Sequence, residues 1–233
     1  MKARFDFRMG HATFPSHRAF SFLVAAMFIA AGCETAHKLN PNPPRYRPTN
    51  IFYKSKALDP TIKRVAVLPI ATALPSQSLQ SGIDMLQPLL YAELDKTKRF
   101  DLMIVSPQQM RDLTGRASWK SDDQLPADFF EKLREATDCD ALFFTELTRC
   151  QAYPPLAVGW KLALVQAKPR DILWAADEVF DAGNEEVANA ARQYSGQQIH
   201  VEPPLSDPDS ILGSPSRFGQ YSLHALLTLL PLR

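Results

Sequence analysis

From Arg64 onward the chain alternates short continuous apolar runs with stretches whose apolar residues recur every three or four positions. The first run, RVAVLPI from Arg64 to Ile70, is β-branched and unbroken until Pro69, which predicts a strand covered on both faces. Leu79, Ile83, Leu86, Leu90 and Leu94 then share one helical stripe. Pro88 interrupts it, so the helix either kinks there or begins its regular part there, with the proline in the first turn. FDLMIV, Phe100 to Val105, predicts a second strand. Ser106-Pro107 supplies a cap and a first-turn proline for a short helix that stops at Gly115. The polar residues 116–124 predict a surface loop, after which Pro126 opens a helix carrying Phe129, Phe130, Leu133 and Ala136 on one side. A third strand is expected over Ala141 to Thr148, before Tyr153-Pro154-Pro155 ends any ladder.

GWKLALVQA and DILWAADEVFDA, joined by Lys168-Pro169-Arg170, predict an antiparallel hairpin. Trp160 and Trp174 lie in its two strands and are expected in the core. Asn184 can cap a helix with Glu185 and Glu186 in its first turn and Val187, Ala191 and Tyr194 facing inward. Residues 199–215 read as a proline-rich loop, long enough to suggest a role of its own. Residues 216–233 read as a Leu-rich helix whose apolar surface exceeds one narrow stripe. It is expected to pack on the domain, a partner surface being the alternative. The order of elements predicts an α/β fold: a single domain over residues 61–198 with a mixed sheet flanked by helices.

The start of the chain follows a different pattern. Lys2, Arg4, Arg8 and Arg18, against a single Asp6, precede the uncharged stretch from Ala19 to Gly32. At about 14 residues that stretch is short of the roughly 20 that a spanning helix needs. The layout is that of a secretory signal peptide over residues 1–32. Ala30-Ala31-Gly32 runs directly into Cys33, and this resembles the bacterial lipobox. The resemblance implies cleavage between Gly32 and Cys33, a diacylglyceryl group on the Cys33 sulfur and acylation of the new amino terminus, three chains in all. Two or more acyl chains anchor a protein stably where one does not. Residues 33–60 then form a lipidated, proline-rich tether, ETAHKLNPNPPRYRP at its start, with the composition of an extended spacer. In enteric bacteria Asp after the lipidated Cys favours the inner membrane. Glu34 stands here, so the outer membrane is favoured, with the domain facing the periplasm.

Composition narrows the rest. The chain has 26 basic and 25 acidic residues, and loss of residues 1–32 turns the balance slightly acidic. No basic stripe marks a nucleic-acid partner, and KTKR at Lys96 to Arg99 reads as the solvated last turn of a helix. Besides Cys33 only Cys139 and Cys150 occur. They bracket a predicted strand that would hold them roughly 36 Å apart at about 3.3 Å per residue. A disulfide needs Cα atoms within about 7 Å, so both are expected as free thiols.

Three stretches recur in a known order: RVAVLPI, then LLYAELDKTKRFDLMIV, then LREATDCDALFFTELT, followed by the hairpin that contains ILWAADEVFDA. Together, over Arg64 to Ala182, they resemble the envelope lipoproteins grouped with the curli-secretion lipoprotein CsgG, the penicillin-binding-protein activator LpoB and the amino-terminal domain of TolB. Thr145 stands where that group usually has Gly. The resemblance implies a TolB-N/CsgG-like fold and a periplasm-facing adaptor, or an assembly or regulatory lipoprotein that binds other cell-envelope proteins. It supplies no catalytic residue. A subunit of a CsgG-like secretion channel is the alternative, although long lipid-facing strands of about 9 to 11 residues are not evident. A homo-oligomer is left open.

Candidate chemistry is sparse, and no enzyme, cofactor or metal site is expected. His37 lies in the tether, His200 beside the proline-rich loop and His224 in the terminal helix, so no nucleophile has an evident base. GSPSRFG, Gly213 to Gly219, lacks the strand that precedes a nucleophile elbow. Asp177, Glu178 and Asp181 could serve a hydrolase, but neighbouring strand residues point to opposite faces. Metal-ligand spacings and a phosphate-cradling glycine loop are both missing.

Overall fold

The computed structural model describes residues 46–73, 76–198 and 208–233. Six strands form one sheet: β1 (Ile51–Tyr53), β2 (Arg64–Val67), β3 (Asp101–Ile104), β4 (Ala141–Gln151), β5 (Ala157–Gln166) and β6 (Ile172–Asp181). Their order is β1-β6-β5-β4-β2-β3. β2 pairs in parallel with β3 and β4, and the remaining pairs are antiparallel. Helices α1 (Gln77–Thr97), α2 (Pro107–Thr114), α3 (Phe129–Thr137), α4 (Glu185–Gln198) and α5 (Pro215–Leu227) flank it, with a 3-10 turn at Pro208–Gly213. This is the α/β arrangement with a mixed sheet that the sequence predicts, and all described residues belong to one unit.

β2 is buried on both faces, as its unbroken apolar run requires. It is shorter than RVAVLPI, because Pro69 has no N–H for the ladder. The chain nevertheless follows β4 onward: Leu68 N–H donates to Phe143 O at 3.0 Å and Ala71 N–H to Thr145 O at 2.8 Å. β4 in turn reaches Gln151, three residues beyond the expected end.

α1 is continuous through Pro88. The proline lies on the exposed side of the helix, as does Asp84, whose carbonyl it leaves without a helical donor. Ser76 caps the helix, its hydroxyl accepting from Leu79 N–H at 3.2 Å. The buried stripe of α1, Gly82, Leu86, Leu90, Glu93 and Leu94, packs on one face of the sheet beside α5. Contact there is close. A Cβ on Gly219 of α5 would lie 2.2 Å from Leu86 Cδ2, and one on Gly82 would lie 2.7 Å from Cys150 Sγ.

That first face carries the larger core, with Phe143, Leu147, Trp160, Leu162, Trp174 and Phe180 of the sheet beneath α1, α4 and α5. α5 is built into it: Phe218, Leu223 and Leu226 are fully buried, and Trp160 Nε1 donates to Ser222 Oγ at 2.8 Å. The tail after α5 is held as well, through Leu58 N–H to Leu232 O at 2.7 Å and Arg99 to the Pro231 carbonyl.

The second face has a smaller core, Ala66, Leu68, Leu142, Phe144 and Val165 beneath Met110, Phe129 and Leu133 of α2 and α3. Two expectations need correction here. Residues 116–124 are more than a surface loop, because Trp119 is buried, meets Phe129 edge-on at 5.6 Å and donates to Thr114 Oγ1 at 2.8 Å. The helix after Pro126 starts at Phe129, following a turn closed by Phe129 N–H to Pro126 O. A third difference concerns the tether, which does not run free to residue 60: Ile51–Tyr53 is the edge strand β1, paired with β6.

Candidate protein-binding face

The helices on the second face stop short. α2, α3 and Trp119 cover β2, β4 and the near side of β5, and among the described residues no helix lies over the part of the face formed by β5, β6 and β1. Register fixes what lies there. Ile172 stands opposite Val165, Ala175 opposite Ala163 and beside Phe52, and Val179 opposite Gly159. Because alternate residues share a face, these join Phe144 and Val165 on the second face. Phe52, Ile172 and Val179 are 52%, 46% and 43% exposed, three of the seven large apolar side chains exposed among the described residues.

A charged row crosses the same face, Glu146 opposite Lys161 and Lys161 opposite Asp177. The 116–124 loop adds to it. Lys161 Nζ donates to Asp122 Oδ2 at 2.7 Å, Lys120 stands 3.6 Å from Asp122 and 3.8 Å from Asp123, and Arg116 is 3.3 Å from Asp123. A recess of about 250 Å³ opens between loop and strands, lined among others by Asn50, Phe52, Asp122, Lys161, Ile172 and Asp177. Each of the three cations is thus engaged by Asp122 or Asp123. Among the described residues Glu146 and Asp177 have no cationic nitrogen within 4.0 Å.

Glu146 is 6% exposed. Burial raises its carboxyl above the ordinary range, Lys120 and Lys161 pull it down, and Asp122 and Asp123 push it up. The bond to Asp122 raises Lys161 in turn.

A second polar cluster joins α1 to α5 on the first face. Glu93, 2% exposed, accepts from Lys96 Nζ at 2.5 Å and Gln220 Nε2 at 2.8 Å, and its other oxygen lies 3.4 Å from His224 Nδ1. Burial pushes Glu93 up, but the bonds from His224, Lys96 and Gln220, with the Lys96 charge, outweigh it and bring the carboxyl down to about 2. Tyr194 of α4 packs against His224, ring centroids 4.9 Å apart, with its hydroxyl buried and unpaired. This cluster ties helices together, with Lys96, Gln220 and His224 all engaged by Glu93, so the open face is the better candidate for binding.

Of the residues singled out from sequence, Gly32, Cys33, His37 and His200 lie outside the described residues. His224 belongs to the Glu93 cluster, and Trp160 and Trp174 are fully buried. Cys139 and Cys150 are free thiols, the first buried and the second half-buried. Asp177 and Asp181 fall on the second face. Glu178 points to the other face, where it accepts from Thr49 N–H at 2.9 Å. Sequence reasoning missed Phe52, Asp122, Glu146 and Lys161. Glu146 had a readable signal, a carboxylate inside the otherwise apolar and hydroxyl run ALFFTELT. Among the described residues no group of three or more potential metal ligands occurs, and no helix is long and apolar enough to cross a membrane.

No protein-family model matches the chain, and no curated protein does. Solved structures similar to it include the PelC dodecamer from Paraburkholderia phytofirmans, with TM-score 0.41, 12% identity and coverage of 80% of this chain and 97% of that one. Lipoprotein GNA1162 from Neisseria meningitidis matches at TM-score 0.38 and 15% identity over 58% of this chain and 99% of its own. The C-terminal domain of LpoB from Escherichia coli matches at TM-score 0.33 and 12% identity over 51% and 82%. No residue role passes from them to this chain, whose fold assignment rests on its own strand order and helix placement. LpoB, one of the proteins that the three sequence stretches resemble, is among the structures this chain is similar to.

Proposed function

We propose that this chain is a lipid-anchored module of the bacterial envelope that works by binding other envelope proteins rather than by turnover. The observation that carries the reading is the open part of the second face, where Phe52, Ile172 and Val179 stay exposed on a sheet whose other face lies under three helices. Phe52 and Ile172 line one recess and Val179 follows on the same face of β6 beyond Asp177, and exposed apolar side chains gathered on one face with polar ones among them mark interaction sites. The anchor in this reading is Cys33, cut free after Gly32 and acylated. The outer membrane is the favoured site because Glu34 follows it, with the domain on the periplasmic side. Twelve residues, thirteen steps of the chain, lie between Cys33 and Tyr46. Fully extended at about 3.3–3.6 Å per residue, thirteen steps reach at most about 47 Å, which bounds how far Tyr46, where the described domain begins, stands from the membrane surface.

The test is to purify the protein from its native membrane in detergent, after mild cross-linking, and identify the amino-terminal group and the co-purifying proteins by mass spectrometry. The reading expects a triacylated Cys33 and one or two envelope proteins, the latter lost in Val179→Asp while acylation persists. An unmodified Cys33 overturns the anchor. Large homo-oligomers with no other protein attached would favour the secretion-channel subunit, and turnover of cell-wall or ester substrates would favour a hydrolase.

A further inference from the structure

We infer that the open face takes a cationic, apolar-flanked segment of its partner, with a Lys or Arg set over the Asp177 end of the charged row and apolar neighbours laid on Phe52, Ile172 and Val179. The inference rests on the binding role just proposed for this face and adds the chemistry of the occupant.

Charge complementarity selects the occupant. Seven charged groups face the recess and its rim: Arg116, Lys120 and Lys161 against Asp122, Asp123, Glu146 and Asp177. The three cations are taken up by Asp122 and Asp123, at 2.7 to 3.8 Å. The face is therefore short of one positive charge, and the shortfall lies on the strands, where Glu146 and Asp177 flank Lys161. Asp177 is exposed and lines the recess, and Glu146, in the same row, is more than nine-tenths buried with no hydrogen-bond partner among the described residues. An anionic partner would add repulsion to this arrangement, while a neutral one would shield the two carboxylates from water without pairing them, which is unfavourable. A cation supplies the missing charge. It also sits next to apolar surface, since Phe52 stands beside Ala175, two residues along β6 from Asp177. Side chains with an apolar stem and a charged tip suit such a border.

Short random peptides displayed on phage can be panned against the acylated full-length protein held in detergent, first at low and then at physiological ionic strength. The inference expects the enriched peptides to carry Lys or Arg beside apolar residues. Their binding should weaken roughly tenfold in Asp177→Asn, further with Glu146→Gln added, and with rising salt. Phe52→Ser and Val179→Ser should abolish it, and circular dichroism should report the same fold for every variant. Peptides that lose binding in Phe52→Ser and Val179→Ser yet lack cations, or ignore Asp177→Asn, overturn the cationic occupant and leave the face as a binding surface. Peptides indifferent to all four substitutions, or no enrichment, overturn the face itself.

Discussion

Replacing Glu93 by Gln tests the junction of α1 and α5 with a change that alters charge and almost nothing else. Glu93 is 2% exposed, and its carboxyl falls from the usual 4.5 to about 2. About 2.5 pH units at 1.36 kcal/mol each make the ionised form worth about 3 kcal/mol to the fold. Because the folded-state value is depressed, that stabilisation is present above pH 4.5 and is lost as the pH falls toward 2. By linkage about 1.4 kcal/mol of it is gone at pH 3.5. Gln cannot ionise and keeps one acceptor for three donors, so at pH 7 the variant should be less stable by about 2–3 kcal/mol, a drop in Tm of several degrees. Urea unfolding of both proteins at pH 7, 4.5 and 3.5 reads the difference directly. Carboxylates elsewhere titrate alike in the two chains, so the gap between them should narrow by about 1 kcal/mol or more toward pH 3.5. A gap that stays constant with pH, or no gap at pH 7, refutes the reasoning.

Glu146→Gln should act in the opposite sense. Its folded-state carboxyl is raised by burial, so ionisation costs stability as the pH rises through that value; the variant should melt higher than the wild type at pH 8 and converge with it at pH 4, as thermal scans would report. Gly219→Ala places a methyl 2.2 Å from Leu86 Cδ2 in a fully buried site and should cost about 1–3 kcal/mol in denaturant unfolding. Trp119→Ala removes a buried ring and the bond to Thr114. It should cost about 3–5 kcal/mol, whereas a solvated loop position would show almost no loss.

The hairpin of β5 and β6 was legible because its two apolar runs meet at a proline turn, and α2 because Ser106-Pro107 and Gly115 mark its ends. What escaped reading did so for local reasons. Trp119 sits between Ser118 and Lys120 in a polar stretch, and only the approach of α3 gives its ring a place to be buried. IFY of β1 follows a proline-rich segment and is three residues long, too short for a period, so only its pairing with β6 makes it a strand. Glu93 reads as one of several charges in AELDK, and its burial follows from the crossing of α5, brought close by Gly219. The candidate face is the extreme case. Its parts come from β1, the 116–124 loop, β4, β5 and β6, and no linear pattern announces a surface defined by where the covering helices stop.

The binding role of that surface can be measured in living cells with a photo-crosslinking amino acid placed at Val179 on the open face and, as a control, at Glu135 on the exposed side of α3. The account predicts a discrete cross-linked envelope protein from position 179, absent from position 135 and lost when Cys33 is replaced by Ser. Equal cross-linking from both positions, or none from 179 in the anchored protein, would contradict it.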